Sequence, residues 1–262
     1  MADLNPLRLD GRHILVTGAS SGIGRRTALM LHALGASLSV VDRDEAGLAS
    51  LDAELCAGKG VARQVADLSD IAGIEELVSR CVAAGGKLHG VVHCAGLLAI
   101  MPIRTLQIDG WRRIFAVNTE AALMLGKCLS SKKVYAGHHG SIVFISSVMG
   151  MVGSAGAVAY SMSKAALNGM ARSLSLGLAP RGIRVNCIAP GFVRPHSSNR
   201  PRDCGTKRQE RLSRICIRSV LAKQKTSLMP WRFLSLIPVA GLPVRHWSST
   251  VVTWRAEFLE KA

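Results

Sequence analysis

Tyr160 and Lys164 stand four residues apart near the start of an apolar-periodic stretch, Val158 to Leu178. On a helix that spacing puts both side chains on one face, so an ammonium stands near the phenol or near whatever the phenol touches. The pairing has a chemical use. A phenol with a pKa of about 10 is a poor base at neutral pH. A cation at ~4 Å in an effective dielectric of ~20 is worth ~4 kcal/mol, roughly three pKa units, which brings a phenolate within reach of neutrality. Standing alone, the pair equally describes an amphipathic helix start with an exposed lysine.

A second group of residues is suited to holding an anion. In Val16-Thr17-Gly18-Ala19-Ser20-Ser21-Gly22-Ile23-Gly24, an apolar strand candidate, His13 to Thr17, runs into glycines spaced G-x-x-x-G-x-G, and the helical pattern Arg25 to Leu34 follows. Gly18 allows a sharp turn, Gly22 lets a pyrophosphate approach the main chain, and Gly24 lets the helix pack on the strand with its free N–H groups facing the anion. A second strand, Ser37 to Val41, ends in Asp42 about twenty residues on, where a carboxylate can accept hydrogen bonds from the ribose of a dinucleotide. A tight turn and a solvated turn aspartate are the alternatives. No Gly-Lys-Ser/Thr follows, which disfavours a P-loop triphosphatase.

The elements that must position these groups alternate regularly. After Asp42 come a helical stretch from Glu45 to Cys56, a strand from Val61 to Val65 ending at Asp67-Leu68, and a helix to about Ala84 that Asp70 can cap. Strand and helix patterns then follow at Gly90–His93, Trp111–Val134, Ser141–Ile145, Val158–Leu178 and Ile183–Ile188. This is the rhythm of an α/β fold, a parallel sheet with helices on both faces. Ligands bind such sheets at the carboxyl ends of the strands. There the chain offers Gly18 to Gly24, Asp42, Asp67, Cys94-Ala95-Gly96, Ser146-Ser147 and Pro190-Gly191.

At 262 residues without a Pro- or Ser-rich linker, one domain is expected. The polar start, Met1 to Arg12, and the absence of an apolar run near the ~20 residues of a membrane span predict a soluble, cytoplasmic protein with no membrane partner. Seven cysteines without a C-x-x-C pair suit free thiols, and no metal site is expected; His138-His139 reads as a polar loop. The net charge of +16 raises nucleic acid as a partner, but it is unevenly spread. Residues 1–193 hold 19 basic and 13 acidic side chains, whereas residues 194–262 hold 14 and 4. The excess belongs to the tail, which has neither a basic helix nor interleaved aromatics, so no nucleic acid is expected.

Thr17-Gly18-x-x-x-Gly22-x-Gly24, Asp67, Cys94-Ala95-Gly96, Asn118, Ser147, Tyr160-x-x-x-Lys164 and Pro190-Gly191, in this order and spacing, resemble the short-chain dehydrogenase/reductase family over residues 8–194. The resemblance implies a Rossmann-type, doubly wound parallel sheet. It implies hydride exchange between NAD or NADP and a small-molecule secondary alcohol or ketone. Tyr160 would then be the general acid or base, and Lys164 would lower its pKa while holding the nicotinamide ribose. Ser147 would hydrogen-bond the substrate oxygen, and Asn118 would support a water-linked proton path to the lysine. The cofactor would lie on Gly18, Ser20, Ser21, Gly22, Ile23 and Gly24, with Asp42, Arg43, Asp67 and Leu68 towards its adenosine. Cys94, Ala95, Gly96, Tyr160, Lys164, Pro190, Gly191 and Val193 would meet its other half. Asp42 favours NAD because a carboxylate repels a 2′-phosphate, while Arg43 beside it pulls towards NADP. The family often has Asn-Asn-Ala-Gly where this chain has His93-Cys94-Ala95-Gly96, a change expected to lose a side-chain tie within the sheet. The same core resembles NADPH-dependent 3-oxoacyl thioester reductases. From another class, a catalytically silent nucleotide-binding protein also fits.

Past Pro190-Gly191-Phe192-Val193-Arg194 the family pattern stops. It should continue with threonine, a substrate lid, a helix and a last strand closing near Asp-Gly-Gly, whereas residues 195–262 are basic and aperiodic. Residues 1–194 therefore read as the nucleotide-binding domain and 195–262 as a divergent tail, consistent with translation in a shifted frame. Such a chain lacks the last strand and the lid. A bare sheet edge, an uncovered apolar face, weak folding or activity, and loss of the family's usual homo-oligomer are the expected results. Sequencing the coding DNA from about codon 185 tests this. A shifted frame should give threonine after Arg194 and close on Asp-Gly-Gly; a tail with no such frame is genuine.

Overall fold

The structure, a computed structural model, describes residues 7–55, 60–191 and 251–254. Strand β1 (His13–Thr17) is buried at every position. It pairs in parallel with β2 (Ser37–Asp42) on one side and β4 (Gly90–His93) on the other. Alternate side chains leave opposite faces of a strand, so Leu15 enters one core while Ile14 and Val16 enter another. A strand buried on both faces reads as a near-continuous apolar run, as Ile14-Leu15-Val16 does between the buried polar His13 and Thr17.

Helices α1 (Gly22–Ala33) and α2 (Glu45–Glu54) flank β2 and β3 (Val61–Val65) on the Ile14 face, closing a core that includes Leu31, Leu38, Leu48 and Leu51. On the Leu15 face lie α3 (Ile74–Gly85), α4 (Ile108–Phe115), α5 (Ala121–Leu129) and the long α7 (Val158–Leu178). They pack on β4, β5 (Gly140–Ile145) and β6 (Ile183–Pro190) through Leu77, Leu125, Ile142, Phe144, Leu167 and Val185. A short helix, α6 (Met149–Val152), follows β5. Among the described residues no helix is long and apolar enough to cross a membrane.

The sheet order is β3-β2-β1-β4-β5-β6-β7, all parallel. From β1 the chain winds outward through β2 and β3, then returns to β4 and winds the other way. At such a reversal of strand order, ligands bind in the crevice outside the carboxyl ends of the strands.

Three sequence expectations change. The helix after β3 starts at Ile74 rather than at Asp70, because the Asp70 carboxylate accepts the Gly73 N–H (3.2 Å) in a turn that precedes it. The helical stretch expected from Trp111 to Val134 runs from Ile108 to Leu129 and is interrupted by a π-helical turn, Ala116–Glu120. Finally, the expected bare edge is filled. β7 (Val251–Trp254) lies in register on β6, Cys187 beside Val251 and Pro190 beside Trp254. Its β-branched and aromatic composition suits an edge that offers unpaired main-chain groups. The rest of the tail, 192–250 and 255–262, and with it the shifted-frame reading, lies outside the described residues. On the Ile14 face of the sheet the described residues leave an apolar groove between Ile14, Leu31, Val92, Val143, Ile145 and Ile188.

Candidate active site

The glycine turn is built as its spacing suggests, with a tighter constraint. Gly18 has φ +67°, and a Cβ there would come 2.6 Å from the Ala95 nitrogen, so the turns after β1 and β4 are in direct contact. A Cβ on Gly24 would meet the Gly18 carbonyl oxygen at 1.9 Å, so the helix start presses on the turn itself. Nothing lies within 4 Å of a Cβ position on Gly22, and Ser21 at the helix N-cap makes no side-chain capping bond. Open space in front of the first N–H groups of a twelve-residue helix is what a pyrophosphate requires.

Asp42 is placed at the end of β2 as expected and has a further task. Its Oδ2 accepts the Ser20 N–H (3.0 Å) and hydroxyl (2.7 Å), and its Oδ1 accepts the Asp44 N–H (3.1 Å). The carboxylate that would meet a ribose thus also fixes the glycine turn. Arg43 beside it is exposed. Asp67 accepts the Ser69 N–H (2.9 Å) and hydroxyl (2.8 Å), which hold its pKa below the usual carboxylate range, and it pairs with Arg113 at 3.4 Å. Leu68 is buried in the core and does not line the cleft that holds Tyr160 and Lys164. Val193 lies outside the described residues.

Ile23, Cys94, Gly96, Ser147, Tyr160, Lys164, Pro190 and Gly191 line one cleft of about 240 Å³, with Leu97, Leu98, Ile145 and Ser146 between them. The structure therefore brings the glycine turn, the turn after β4, the end of β5 and the first turn of α7 to one place. The chemistry of that set, a helix N-terminus beside a phenol and a buried ammonium, fits an anionic dinucleotide.

Lys164 is 4 % exposed, and its Nζ donates to the Ile145 carbonyl at 2.7 Å. Burial lowers its pKa to about 8. The ammonium lies 5.8 Å from the centre of the Tyr160 ring, engaged by β5 rather than resting on the phenol oxygen. Burial raises the Tyr160 pKa, and a hydrogen bond from Ser147 opposes the rise. The phenolate near neutrality expected from the Tyr-Lys spacing is thus not what this arrangement favours. The Lys164 ammonium is engaged at the Ile145 carbonyl, and burial shifts the phenol upward.

Asn118 sits in the π-helical turn, fully buried. Its Nδ2 donates to the Leu97 carbonyl (3.0 Å) and the Ser163 hydroxyl (2.9 Å), while its Oδ1 accepts the Leu97 N–H (2.7 Å). Both amide hydrogens are engaged by protein, so the Asn118 side chain clamps the segment after β4. A Cβ on Gly96 would stand 3.2 Å from the Lys164 Nζ and 3.3 Å from the Asn118 Oδ1, so a side chain there would press on both groups.

The family model described as short chain dehydrogenase matches residues 12–203. The chain belongs to the short-chain dehydrogenase family. Among its relatives, the 3-oxoacyl-(acyl-carrier-protein) reductase FabG of Thermotoga maritima is 34% identical over 212 residues, covering 80% of this chain and 84% of the relative. A putative short-chain alcohol dehydrogenase from Sinorhizobium meliloti superposes with a TM-score of 0.71 at 30% identity, covering 80% and 81% of the two chains. A short-chain dehydrogenase from Shigella flexneri, solved with NADP, gives a TM-score of 0.66 at 34% identity, covering 72% and 80%. This short-chain dehydrogenase is accordingly an NAD(P)-dependent oxidoreductase.

Sequence reasoning missed two members of the site. Ser163, read only as a spacer between Tyr160 and Lys164, joins Asn118 to the Tyr160 carbonyl, to which it donates at 2.8 Å. His93 was expected to lose a tie and instead makes one. Its Nδ1 lies 2.9 Å from the Thr17 hydroxyl and its Nε2 3.1 Å from the Val117 carbonyl. A buried, two-ended imidazole at a strand end could have been suspected from its position alone.

A lysine whose folded pKa lies below its unfolded value binds fewer protons folded than unfolded between the two values, so stability rises with pH there. For Lys164 the window runs from about 8 to the ordinary lysine value of 10.5. Urea unfolding of wild type and Lys164→Met should show the wild type gaining up to about 3 kcal/mol relative to the variant from pH 7 to pH 10. Taking the difference cancels thiols such as Cys81 and Cys128, whose shifts have causes other than Lys164, and leaves Lys164 together with the Cys94 and Cys187 thiols that its charge influences. A flat difference would show that Lys164 titrates normally.

Proposed function

We propose that the chain interconverts a secondary alcohol and a ketone, with Tyr160 as the proton donor and acceptor. The observation that carries this reading is the single cleft that Ser147 and Tyr160 line together with the buried Lys164 and with Ile23 of the glycine turn. The nicotinamide supplies or accepts the hydride. The protein's part is position and proton transfer. In the reducing direction a ketone oxygen is held by the Ser147 hydroxyl and the Tyr160 O–H, and the phenol releases its proton to that oxygen as the carbinol forms. A phenol kept protonated by burial suits that direction. In the oxidising direction the phenol must first lose its proton, and the Lys164 cation is the group placed to stabilise the resulting charge. The nucleotide-binding and catalytic roles are assigned to residues 1–194 and none to residues 195–262.

A 3-oxoacyl thioester is the second substrate reading, favoured by the apolar surroundings of the cleft. Leu98 lines it, and Leu98, Ile100, Met151 and Val158 are 40% exposed or more on the segments that carry cleft residues. The FabG relative carries that activity in its name. Initial rates with a simple ketone and with an acetoacetyl thioester separate the two.

For the cofactor we propose NAD(H) over NADP(H), on the strength of the Asp42 carboxylate held at the end of β2 by Ser20. A 2′-phosphate would approach a like charge there, although Arg43 is close and a solved relative holds NADP.

Two results follow from this reading. Tyr160→Phe should lower kcat by about 10²–10⁴-fold while nucleotide binding, followed by fluorescence titration, stays within a few-fold. Retained turnover removes Tyr160 from the proton transfer. Asp42→Ser should move the kcat/KM ratio towards NADPH by about tenfold, the equivalent of 1.4 kcal/mol. An unchanged ratio would assign the choice to Arg43.

A further inference from the structure

His93 ends β4 and is fully buried, directly opposite Thr17 at the end of β1. Its partners settle its tautomer. The Val117 carbonyl only accepts, so Nε2 carries the ring proton and donates it across 3.1 Å. Nδ1 is then an acceptor and takes the Thr17 hydroxyl hydrogen at 2.9 Å. That leaves the Thr17 oxygen free to accept the Ala95 N–H at 3.3 Å, as it does. One imidazole thus links the ends of two strands to the helical layer.

The point of attachment in that layer is specific. Val117 immediately precedes Asn118 inside the π-helical turn Ala116–Glu120. A π-turn rotates the residues after it relative to a regular helix and is held only where something fixes it. Asn118 grips both main-chain groups of Leu97 and, through Ser163, the first turn of α7. The contacts close a ring. It runs from Thr17 through Ala95 and Leu97 to Asn118 and Val117, and back through His93. Inside it lies Gly96, where a Cβ would sit tightly, 3.2 Å from the Lys164 Nζ.

We infer that His93 is a positioning residue: held between the Thr17 hydroxyl and the Val117 carbonyl, it sets the π-turn that aims Asn118 at Leu97 and thereby fixes the cleft floor against Lys164. The effect on turnover rests on the oxidoreductase reading given above; the effect on Asn118 does not. Burial first, and the Lys164 charge second, push the His93 pKa down to about 3, so the joint keeps one protonation state across the working pH range.

The test is hydrogen exchange at the Leu97 amide, whose bond to Asn118 the joint protects, read together with a double-mutant cycle. His93→Phe keeps an aromatic ring and loses both hydrogen bonds. It should speed exchange at Leu97 by about tenfold or more while the β4 amides of Val91 and Val92 stay protected. It should also lower kcat by up to about 10²-fold, the cost of misplacing a reacting group by ~1 Å. His93→Gln, whose terminal amide can again donate to Val117, should recover part of both. His93→Phe combined with Asn118→Ala should be no slower than Asn118→Ala alone, because both act through one clamp. Unchanged Leu97 exchange in a folded His93→Phe overturns the inference, as do losses that multiply in the double variant. Should His93→Phe fail to fold, Thr17→Val must speed Leu97 exchange and Thr17→Ser must not; equal behaviour of those two also overturns it. A wild type without turnover sinks the oxidoreductase reading, while the exchange measurement still decides the role of His93.

Discussion

A lysine ammonium buried against a strand carbonyl is the interaction around which this site is arranged. Removing a charge from water costs several kcal/mol unless the group is hydrogen-bonded or shifts its pKa. Lys164 does both, donating to Ile145 and titrating at a pKa lowered to about 8. Its anchor is a main-chain group at the end of β5, whose position is set by pairing with β4 and β6 in one continuous sheet. The first turn of α7, which carries Tyr160, is therefore registered to the sheet by a charge-assisted bond and not by apolar packing alone. Ser146 adds a second tie, donating to the Lys164 carbonyl at 2.8 Å.

The same burial decides the protonation of the phenol. Two groups in one desolvated cleft are pushed towards their neutral forms, the lysine downward and the tyrosine upward. Proximity on a helix face does not by itself give a stabilised phenolate, because the cation answers first to the nearest fixed dipole. The pair is consequently poised as a proton donor with a cation in reserve, and a ligand that draws the ammonium from Ile145 towards Tyr160 would change that balance.

Around this centre, polar side chains do much of the structural work that glycine and strand patterns suggest. Asp42 binds its own glycine turn through Ser20, Asn118 binds the segment after β4, and His93 binds β1 and β4 to the helical layer. Each satisfies main-chain or hydroxyl groups that would be costly if left buried and unpaired. Such residues hold a crevice open between layers that apolar packing would otherwise close.

The sequence by itself determined the strands and their order of appearance, since β1, β3, β4 and α7 carry apolar periods that local sterics and burial read directly. It also put the glycine turn, Asp42 and Ser147 just at or after strand ends and Tyr160 and Lys164 on one helix, where the structure has them. Three matters were left to the tertiary structure. The strand at Val251–Trp254 has no amphipathic period to announce it and exists through its pairing with β6. The direction in which Lys164 points depends on the Ile145 carbonyl, 19 residues away in sequence. The work of His93 and Asn118 depends on Thr17, Leu97 and Ser163, brought within hydrogen-bond reach from 21 to 76 residues away. Periodicity reports what a residue does to its neighbours along the chain; a hydrogen bond across layers exists only once the layers have met.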